Sequence, residues 1–264
     1  MPELPDVEKF KRYLDATSLG REIAEVSVSD RRLLDGVSPG RLRRTLEGRR
    51  FAGTRRHGKW LLVRLEPEAK DGWLALHFGM TGTLFHEKDA GQVPEYTRVL
   101  VRFAGSRRLA VVSMRMLGRV DLARTPDRFV RRRDLGPDAL RAGWDTFRDR
   151  LGGRTGMVKT TLMNQSVLAG IGNISADEIQ FHARVHPRAR LDHVGGDRLR
   201  RLYEAAQASL AVLVRCIAGG EEVPDAFLSR HRDEGETCPR CGGEVRRIVL
   251  NQRGTYYCPR CQRV

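Results

Sequence analysis

Cys238-Pro239-Arg240-Cys241 and Cys258-Pro259-Arg260-Cys261 close the chain, with sixteen residues between the two pairs. Two CxxC knuckles at this spacing can present four thiolates to one tetrahedral zinc ion. Two disulfides are the alternative, but in a cytosolic chain thiols stay reduced. Such a zinc site is closed and structural, so it shapes the fold and does no chemistry itself. Between the knuckles, residues 245–250 and 255–257 favour strands, which predicts a β-hairpin zinc finger over 236–264. Its tip, Leu250-Asn251-Gln252-Arg253-Gly254-Thr255, places Arg253 beside a glycine, where a guanidinium can meet phosphate.

Upstream, residues 221–237 are polar, carry Pro224 and read as a linker or loop. Before them, Leu199, Leu202, Tyr203, Ala206, Leu210, Leu213, Val214 and Ile217 keep steps of three and four, so a long amphipathic helix is expected. Gly196-Asp197 supplies its start and Gly219-Gly220 its stop. Cys216 falls on the apolar side as a small buried thiol. Met157, Val158, Leu162, Met163, Val167 and Leu168 form another apolar face. Gly170-Ile171-Gly172-Asn173 then interrupts, and Ile174, Asp177, Glu178 and Phe181 resume a helix. The interruption is either a plain interhelical turn or one whose N–H groups hold a phosphate, with Lys159 nearby. A helical domain is therefore expected over 134–220, opening on the turn Leu135-Gly136-Pro137-Asp138 after the charged stretch from Arg124 to Arg133.

Residues 1–125 read as mostly β behind a leading helix. Ile23, Val26 and Val28, then Leu61-Leu62-Val63-Arg64-Leu65, then Trp73-Leu74-Ala75-Leu76-His77-Phe78 suggest strands. The last stops at Gly79-Met80-Thr81-Gly82, a glycine-bracketed turn. Val99–Phe103 and Leu109–Val112 flank Gly105-Ser106 as a hairpin. The chain opens Met1-Pro2-Glu3-Leu4-Pro5-Asp6-Val7-Glu8. Locally this is the lead-in to an amphipathic helix, with Pro5 suited to a first turn. It also holds a second possibility. Removal of Met1 would leave Pro2 with a free secondary amine, and an α-amino group titrates near 7.7–8.0. A neutral amine beside the Glu3 carboxylate is the minimum kit for Schiff-base chemistry.

The formal net charge is +15 and the isoelectric point about 10.4, which points to a polyanionic partner, nucleic acid before anionic membrane. No run of about 18 apolar residues and no signal-peptide stretch is evident, so a soluble cytoplasmic protein is expected. Aromatic residues are only 6%, too few for an obvious base-stacking track. GxSxG, a Walker loop and a dinucleotide fingerprint are absent from the sequence. His57, His77, His86, His182, His186, His193 and His231 have no metal-ligand spacing.

These pieces resemble the formamidopyrimidine-DNA glycosylase and endonuclease VIII family of bifunctional base-excision repair enzymes over essentially the whole length. Four motifs carry the resemblance: Pro2 to Glu8; His77-Phe78-Gly79-Met80-Thr81-Gly82; Leu162-Met163 through Gly170-Ile171-Gly172-Asn173-Ile174; and the finger with Gln252-Arg253-Gly254-Thr255-Tyr256-Tyr257-Cys258. The implied fold is α+β: an N-terminal β-sandwich-like domain with a leading helix, a helix–two-turn–helix domain and the zinc-finger hairpin, with DNA lying across the cleft. The implied roles are specific. Pro2 attacks the sugar C1′ and Glu3 is the proton donor that opens the deoxyribose ring. Lys59 contacts the lesion-side phosphate and assists β-elimination, and Arg253 grips flanking phosphates and assists δ-elimination. Met80 fills the gap left by the extruded nucleotide, Arg115 reads the orphaned base, and Lys159 and Asn173 bind backbone phosphate. Tyr96 and Arg154 complete the DNA-contacting set, and Cys238, Cys241, Cys258 and Cys261 hold one structural zinc. No nucleotide or redox cofactor is implied. The partner is damaged double-stranded DNA, and the chain is a monomer, cytoplasmic and drawn to the nucleoid.

Some positions depart from the family pattern. The loop commonly Asp-Pro-Arg-Arg-Phe-Gly is Ser113-Met114-Arg115-Met116-Leu117-Gly118 here, so Leu117 stands for the aromatic wedge. Asp6 replaces a usual Glu, and 218–230 is shorter than the base-capping loop of many relatives. An oxidised-pyrimidine glycosylase like endonuclease VIII, and a non-catalytic zinc-finger DNA-binding protein, are the competing readings.

Overall fold

The structure, a computed structural model, describes residues 1–88 and 91–263. They fall into two compact units, Met1–Pro2 with Asp6–Arg133, and Glu3–Pro5 with Asp134–Val264. Residues 126–133, read from sequence as part of a connection, are mostly helical and belong to the first unit. Thr125 caps that helix by accepting from the Arg128 N–H, and Pro126 occupies its first turn.

In the first unit, α1 (Leu4–Ser18) leads into two four-stranded antiparallel sheets. Their strands are β1 (Ile23–Val28), β2 (Arg50–His57), β3 (Trp60–Glu66), β4 (Trp73–His77), β5 (Thr83–Glu87), β6 (Thr97–Phe103), β7 (Arg108–Val112) and β8 (Arg119–Ala123). One sheet runs β1-β6-β7-β5 and the other β2-β3-β4-β8. Val26, Val101 and Leu109 from the first, with Leu61, Val63, Leu74 and Leu76 from the second, enter one buried core. This is the sandwich arrangement, in which alternate strand residues meet between the layers. Val7 and Leu14 of α1 join that core, and Phe10 packs 4.3 Å from Phe78, the residue that leads β4 into its turn. Two short helices complete the unit, α2 (Pro39–Leu46), capped by Ser38, and α3 (Pro126–Arg132).

The second unit contains α4 (Trp144–Leu151), α5 (Val158–Met163), α6 (Asn173–His182) and α7 (Gly196–Gly219). The expected helical region is thus four separate helices. The long one starts at an N-cap, Gly195, that offers no side-chain cap, and it stops where Gly220 turns left-handed. By length and composition α7 could cross a bilayer, but Leu199, Leu202, Leu210 and Leu213 are buried in the core while Arg200 pairs with Glu204 on its outer side. The finger hairpin pairs β9 (Arg246–Leu250) with β10 (Arg253–Tyr257). Asn251 and Gln252 both take positive φ, as a two-residue turn matched to strand twist requires. A small core of Phe181, Leu228, Val245, Cys238 and Cys258 seats the finger against α6.

Candidate active site and metal centre

Glu3 is buried at 4% exposure. Its Oε1 accepts from the Ile174 N–H at 2.9 Å, and its Oε2 accepts from the Ser175 N–H at 3.0 Å and the Ser175 hydroxyl at 2.5 Å. The carboxylate therefore sits on the open N–H groups of α6, where the helix dipole favours negative charge. The preceding turn is shaped for it. A Cβ on Gly172 would fall 2.2 Å from Glu3 Cδ, and one on Gly170 would fall 2.5 Å from Leu4 Cδ1. The Leu4 N–H also donates to the Gly170 carbonyl at 3.3 Å. The sequence left open whether this turn holds a phosphate. Its helix-opening N–H groups are instead taken by the protein's own carboxylate. Beside Glu3, Pro2 is half-buried and Met1 is exposed.

Lys159 does not stand where a phosphate ligand would. It is 2% exposed, with its Nζ 2.6 Å from Asp177 Oδ1 and donating to Thr255 Oγ1 at 2.6 Å. Asp177 also accepts from the Tyr256 N–H and from Arg232. Burial pulls the Lys159 ammonium below its ordinary value and pushes the Asp177 carboxyl above its own, against the attraction between them. Asn173 donates from Nδ2 to the Gly254 carbonyl at 2.9 Å, and Asn251 donates to Thr160 at 2.9 Å. Lys159 and Asn173 thus lock the finger tip onto α5 and α6. The lock leaves Arg253 exposed, and Arg253 and Arg154 line one cavity of about 340 Å³ with Thr160, Asn164 and Asn251.

The four cysteine sulfurs lie within 4.8 Å of one another, with Cys238–Cys261 at 3.9 Å and Cys241–Cys258 at 3.6 Å. Thiolates around a tetrahedral zinc, each about 2.3 Å from it, are about 3.8 Å apart, so the set fits the ion. The knuckles are preformed by the backbone. Gly242 N–H donates to Cys238 O at 3.0 Å, and Gln262 N–H to Cys258 O at 2.9 Å. The protein holds one structural zinc at these cysteines.

Within the first unit, Met80 and Arg115 come together. Met80 projects from the Gly79–Gly82 turn at 38% exposure, beside the loop that exposes Met114 at 56% and Leu117 at 44%. A Cβ on Gly79 would strike the Leu117 carbonyl carbon at 2.4 Å, and one on Gly82 the Phe78 oxygen at 2.2 Å. The Arg115 N–H reaches Thr81 Oγ1 at 3.4 Å. Tyr96, at φ +62°, accepts from the Ser113 N–H at 3.0 Å and supports the loop from behind, while Arg98 lies over its ring. Lys59 belongs to a different hairpin. With Gly58 it makes the two-residue turn between β2 and β3, which Arg56 braces by donating to Gly58 O at 3.0 Å and to Glu8 Oε2 at 3.1 Å. His77 faces Trp60 in register, and burial followed by the charges of Lys59, Arg119 and Arg133 lowers its pKa to about 4.

Several residues of these sites gave no signal in the sequence. The pairings of Asp177 with Arg232 and of Glu8 with Arg56 join residues 55 and 48 positions apart, beyond any local pattern. Glu178, 1% exposed, accepts from the Leu228 and Ser229 N–H groups and so fixes the segment before the finger. A signal was available for Gly172, since a second glycine in a tight turn often marks a close approach.

Three family descriptions match the chain in succession: the formamidopyrimidine-DNA glycosylase N-terminal domain over residues 1–120, the formamidopyrimidine-DNA glycosylase H2TH domain over 135–224, and the zinc finger found in FPG and IleRS over 235–264. The chain is 37% identical to the formamidopyrimidine-DNA glycosylase of Halorhodospira halophila and 35% identical to that of Methylococcus capsulatus, in both cases over the full length of each chain. Among solved structures it is similar to a Lactococcus lactis FPG (MutM) bound to FAPY-dG-containing DNA, with a TM-score of 0.86 at 25% identity over 99% of this chain and all of that one. It is also similar to a MutM in complex with carbocyclic 8-oxo-G DNA, with a TM-score of 0.87 at 25% identity over all of both chains.

Proposed function

The chain belongs to the formamidopyrimidine-DNA glycosylase family, and from that premise we propose how its residues share the work of excising a damaged base and cutting the strand. It is a base-excision repair DNA glycosylase, and lyase action at the abasic site is part of the family activity. Formamidopyrimidine and 8-oxoguanine are its proposed lesions. With Met1 removed, the Pro2 nitrogen lone pair attacks C1′ of the damaged nucleoside. The C1′–N bond breaks and the base departs with a proton. Glu3 donates a proton to the ring oxygen as the deoxyribose opens, leaving a cationic imine between Pro2 and C1′. That imine acidifies the C2′ hydrogen. Its loss expels the 3′ phosphate by β-elimination, with Lys59 on the lesion-side phosphate. Arg253, with Arg154 beside it, grips flanking phosphates. An amine cannot reach C1′ of a stacked nucleotide, so the nucleotide must be turned out of the duplex. Met80 then fills the gap, Arg115 meets the orphaned base, and Tyr96 and Asn173 contribute to holding the DNA. No step needs a redox or nucleotide cofactor. The enzyme would act as a monomer, in the cytoplasm at the nucleoid and away from membranes.

The observation that carries this reading is Glu3 itself. A carboxylate fixed by three hydrogen bonds from two residues of α6 is a positioned group, and Pro2 is its covalent neighbour. Borohydride reduction should trap the Met1-processed protein on duplex DNA carrying an abasic site or an oxidised base. Pro2→Gly and Glu3→Gln should lower trapping by more than about 100-fold, since each removes a group that acts on the reacting atoms. Full function in both variants would overturn the reading in favour of a non-catalytic DNA-binding protein. The replaced wedge at Leu117 makes lesion choice a separate question. A panel of formamidopyrimidine, 8-oxoguanine, thymine glycol and dihydrouracil duplexes should show faster release of the purines, and the reverse order would place the enzyme with oxidised-pyrimidine glycosylases.

A further inference from the structure

A second basic site lies at the base of the finger, apart from the tip. A cavity of about 450 Å³ is lined by Arg184, Arg198, Arg201, Arg240, Arg260 and Arg263, together with Cys241 and Cys261. Arg240 is partly engaged, donating to the Phe181 carbonyl at 2.7 Å and lying over the Phe181 ring. None of the six has a carboxylate partner among the described residues, whereas Arg41, Arg56, Arg133 and Arg232 elsewhere are paired. A zinc ion with four thiolates carries a net charge of about −2. Six guanidinium groups exceed that by about four charges, so compensating the metal centre does not account for them. A second concavity of about 430 Å³ shares Arg198 and Arg201 with it. The N-terminus of α7, without a side-chain cap, lines this second concavity and adds the positive end of a long helix, next to one carboxylate, Asp197.

We propose that this arginine-lined groove is a docking site for a carboxylate-rich, extended peptide segment of a partner protein. The size of the groove selects among polyanions. A compact space of 450 Å³ would be roughly 9–10 Å across, a width that admits an extended chain. The major groove of a DNA duplex alone is about 12 Å wide, so a duplex can touch the rim but cannot enter. A single nucleic-acid strand can enter, but such strands are held by aromatic stacking, and no aromatic ring lines the cavity. An extended peptide advances about 3.3 Å per residue and brings several carboxylates into a space lined by six arginines. The site is also displaced from the proposed DNA contacts. Arg253 and Arg154 line a different cavity at the finger tip, and the two cavities share no lining residue.

The test uses the full-length, zinc-loaded protein and a fluorescein-labelled peptide rich in Asp and Glu, with its Asn/Gln counterpart as control. Anisotropy should show saturable, salt-sensitive binding of the acidic peptide and none of the control. Arg198→Glu with Arg201→Glu, both exposed on α7, should weaken binding on the order of tenfold or more. Zinc content, melting temperature and borohydride trapping on damaged duplex should stay unchanged, and Arg198→Gln with Arg201→Gln should give a smaller loss in the same direction. Unchanged peptide binding in the double variants would overturn the proposal. Displacement of the peptide by a stoichiometric abasic-analogue duplex would also overturn it, because the peptide would then be occupying the DNA site. Zinc loss in the variants would assign the arginines to the metal centre instead. Binding of inorganic tripolyphosphate without binding of the peptide would assign the groove to a small phosphate anion.

Discussion

Two turns of this protein have nearly the same composition and opposite orientation. Gly79-Met80-Thr81-Gly82 sends its apolar side chain outward, with Met80 at 38% exposure, while Gly170-Ile171-Gly172-Asn173 buries Ile171 completely and opens a space for Glu3. In the outward turn the atoms that forbid a Cβ are backbone, the Phe78 oxygen and the Leu117 carbonyl. In the inward turn they belong to the side chains of Leu4 and Glu3. A glycine in a tight turn therefore reports that something approaches closely, and only the tertiary structure says what. The outward turn leaves an exposed apolar tip. The inward one sets the position of the protein's own acid.

The largest effect comes from filling the inward turn. Gly172→Ala places a methyl group on the Glu3 carboxyl, so Glu3 must leave the α6 N-terminus. Borohydride trapping on abasic duplex should fall on the order of 100-fold or more, because a displacement of about 1 Å costs that much when geometry governs the step. The melting temperature should fall as well. Trapping at the parental rate would mean that the cradle does not position Glu3.

An intermediate effect is expected from acid at the outward turn. The Gly79 N–H donates to His77 Nδ1 at 3.2 Å, so the half-buried imidazole must be neutral to hold the turn. Its folded pKa, about 4, lies below the ordinary 6.5. Between these values the unfolded chain binds more protons, so stability is fully present above about 6.5 and declines as the pH falls toward 4. The loss should reach at most about 3 kcal/mol, less where solvent screens the site. Denaturant melts across this window should show the decline, and His77→Gln should flatten it. An unchanged slope in the variant would remove His77 as the cause.

The smallest effect on stability is expected from truncating the outward tip. Met80→Ala removes an exposed side chain and should change unfolding free energy by less than about 0.5 kcal/mol. Release of a lesion from duplex DNA should nevertheless slow on the order of tenfold, while trapping on single-stranded abasic DNA stays unchanged, because only the duplex leaves a gap to fill. An equal loss on both substrates would show that Met80 does not act as a plug.

Legibility in the sequence followed the range of the interactions. The zinc ligands, the finger hairpin, the α7 stripe and five of the eight sandwich strands were readable because each depends on residues a few positions apart, whereas β2, β5 and β8 were not read as strands. Lys159 was misread for the opposite reason. Its partner Asp177 is on the next helix and its other partner, Thr255, is 96 residues away, so nothing local distinguishes it from a surface cation. Arg56 with Glu8, 48 residues apart, and Arg232 with Asp177, 55 apart, were hidden in the same way. Asn173 was read as a phosphate ligand, and its contact with the Gly254 carbonyl, 81 residues away, could not be foreseen.

By itself the sequence determined the order of domains, the metal and its ligands, the basic character and, through four motifs, the family. These follow from short-range rules of spacing, periodicity and turn chemistry, together with the motifs' joint specificity. Only the tertiary structure decided which cations remain available. Lys159 is withdrawn into the interior, while Arg253 and the arginines around the zinc knuckles stay open. The physical reason is that a charge is kept or spent according to its burial and its nearest opposite charge, and both are set by packing between distant segments.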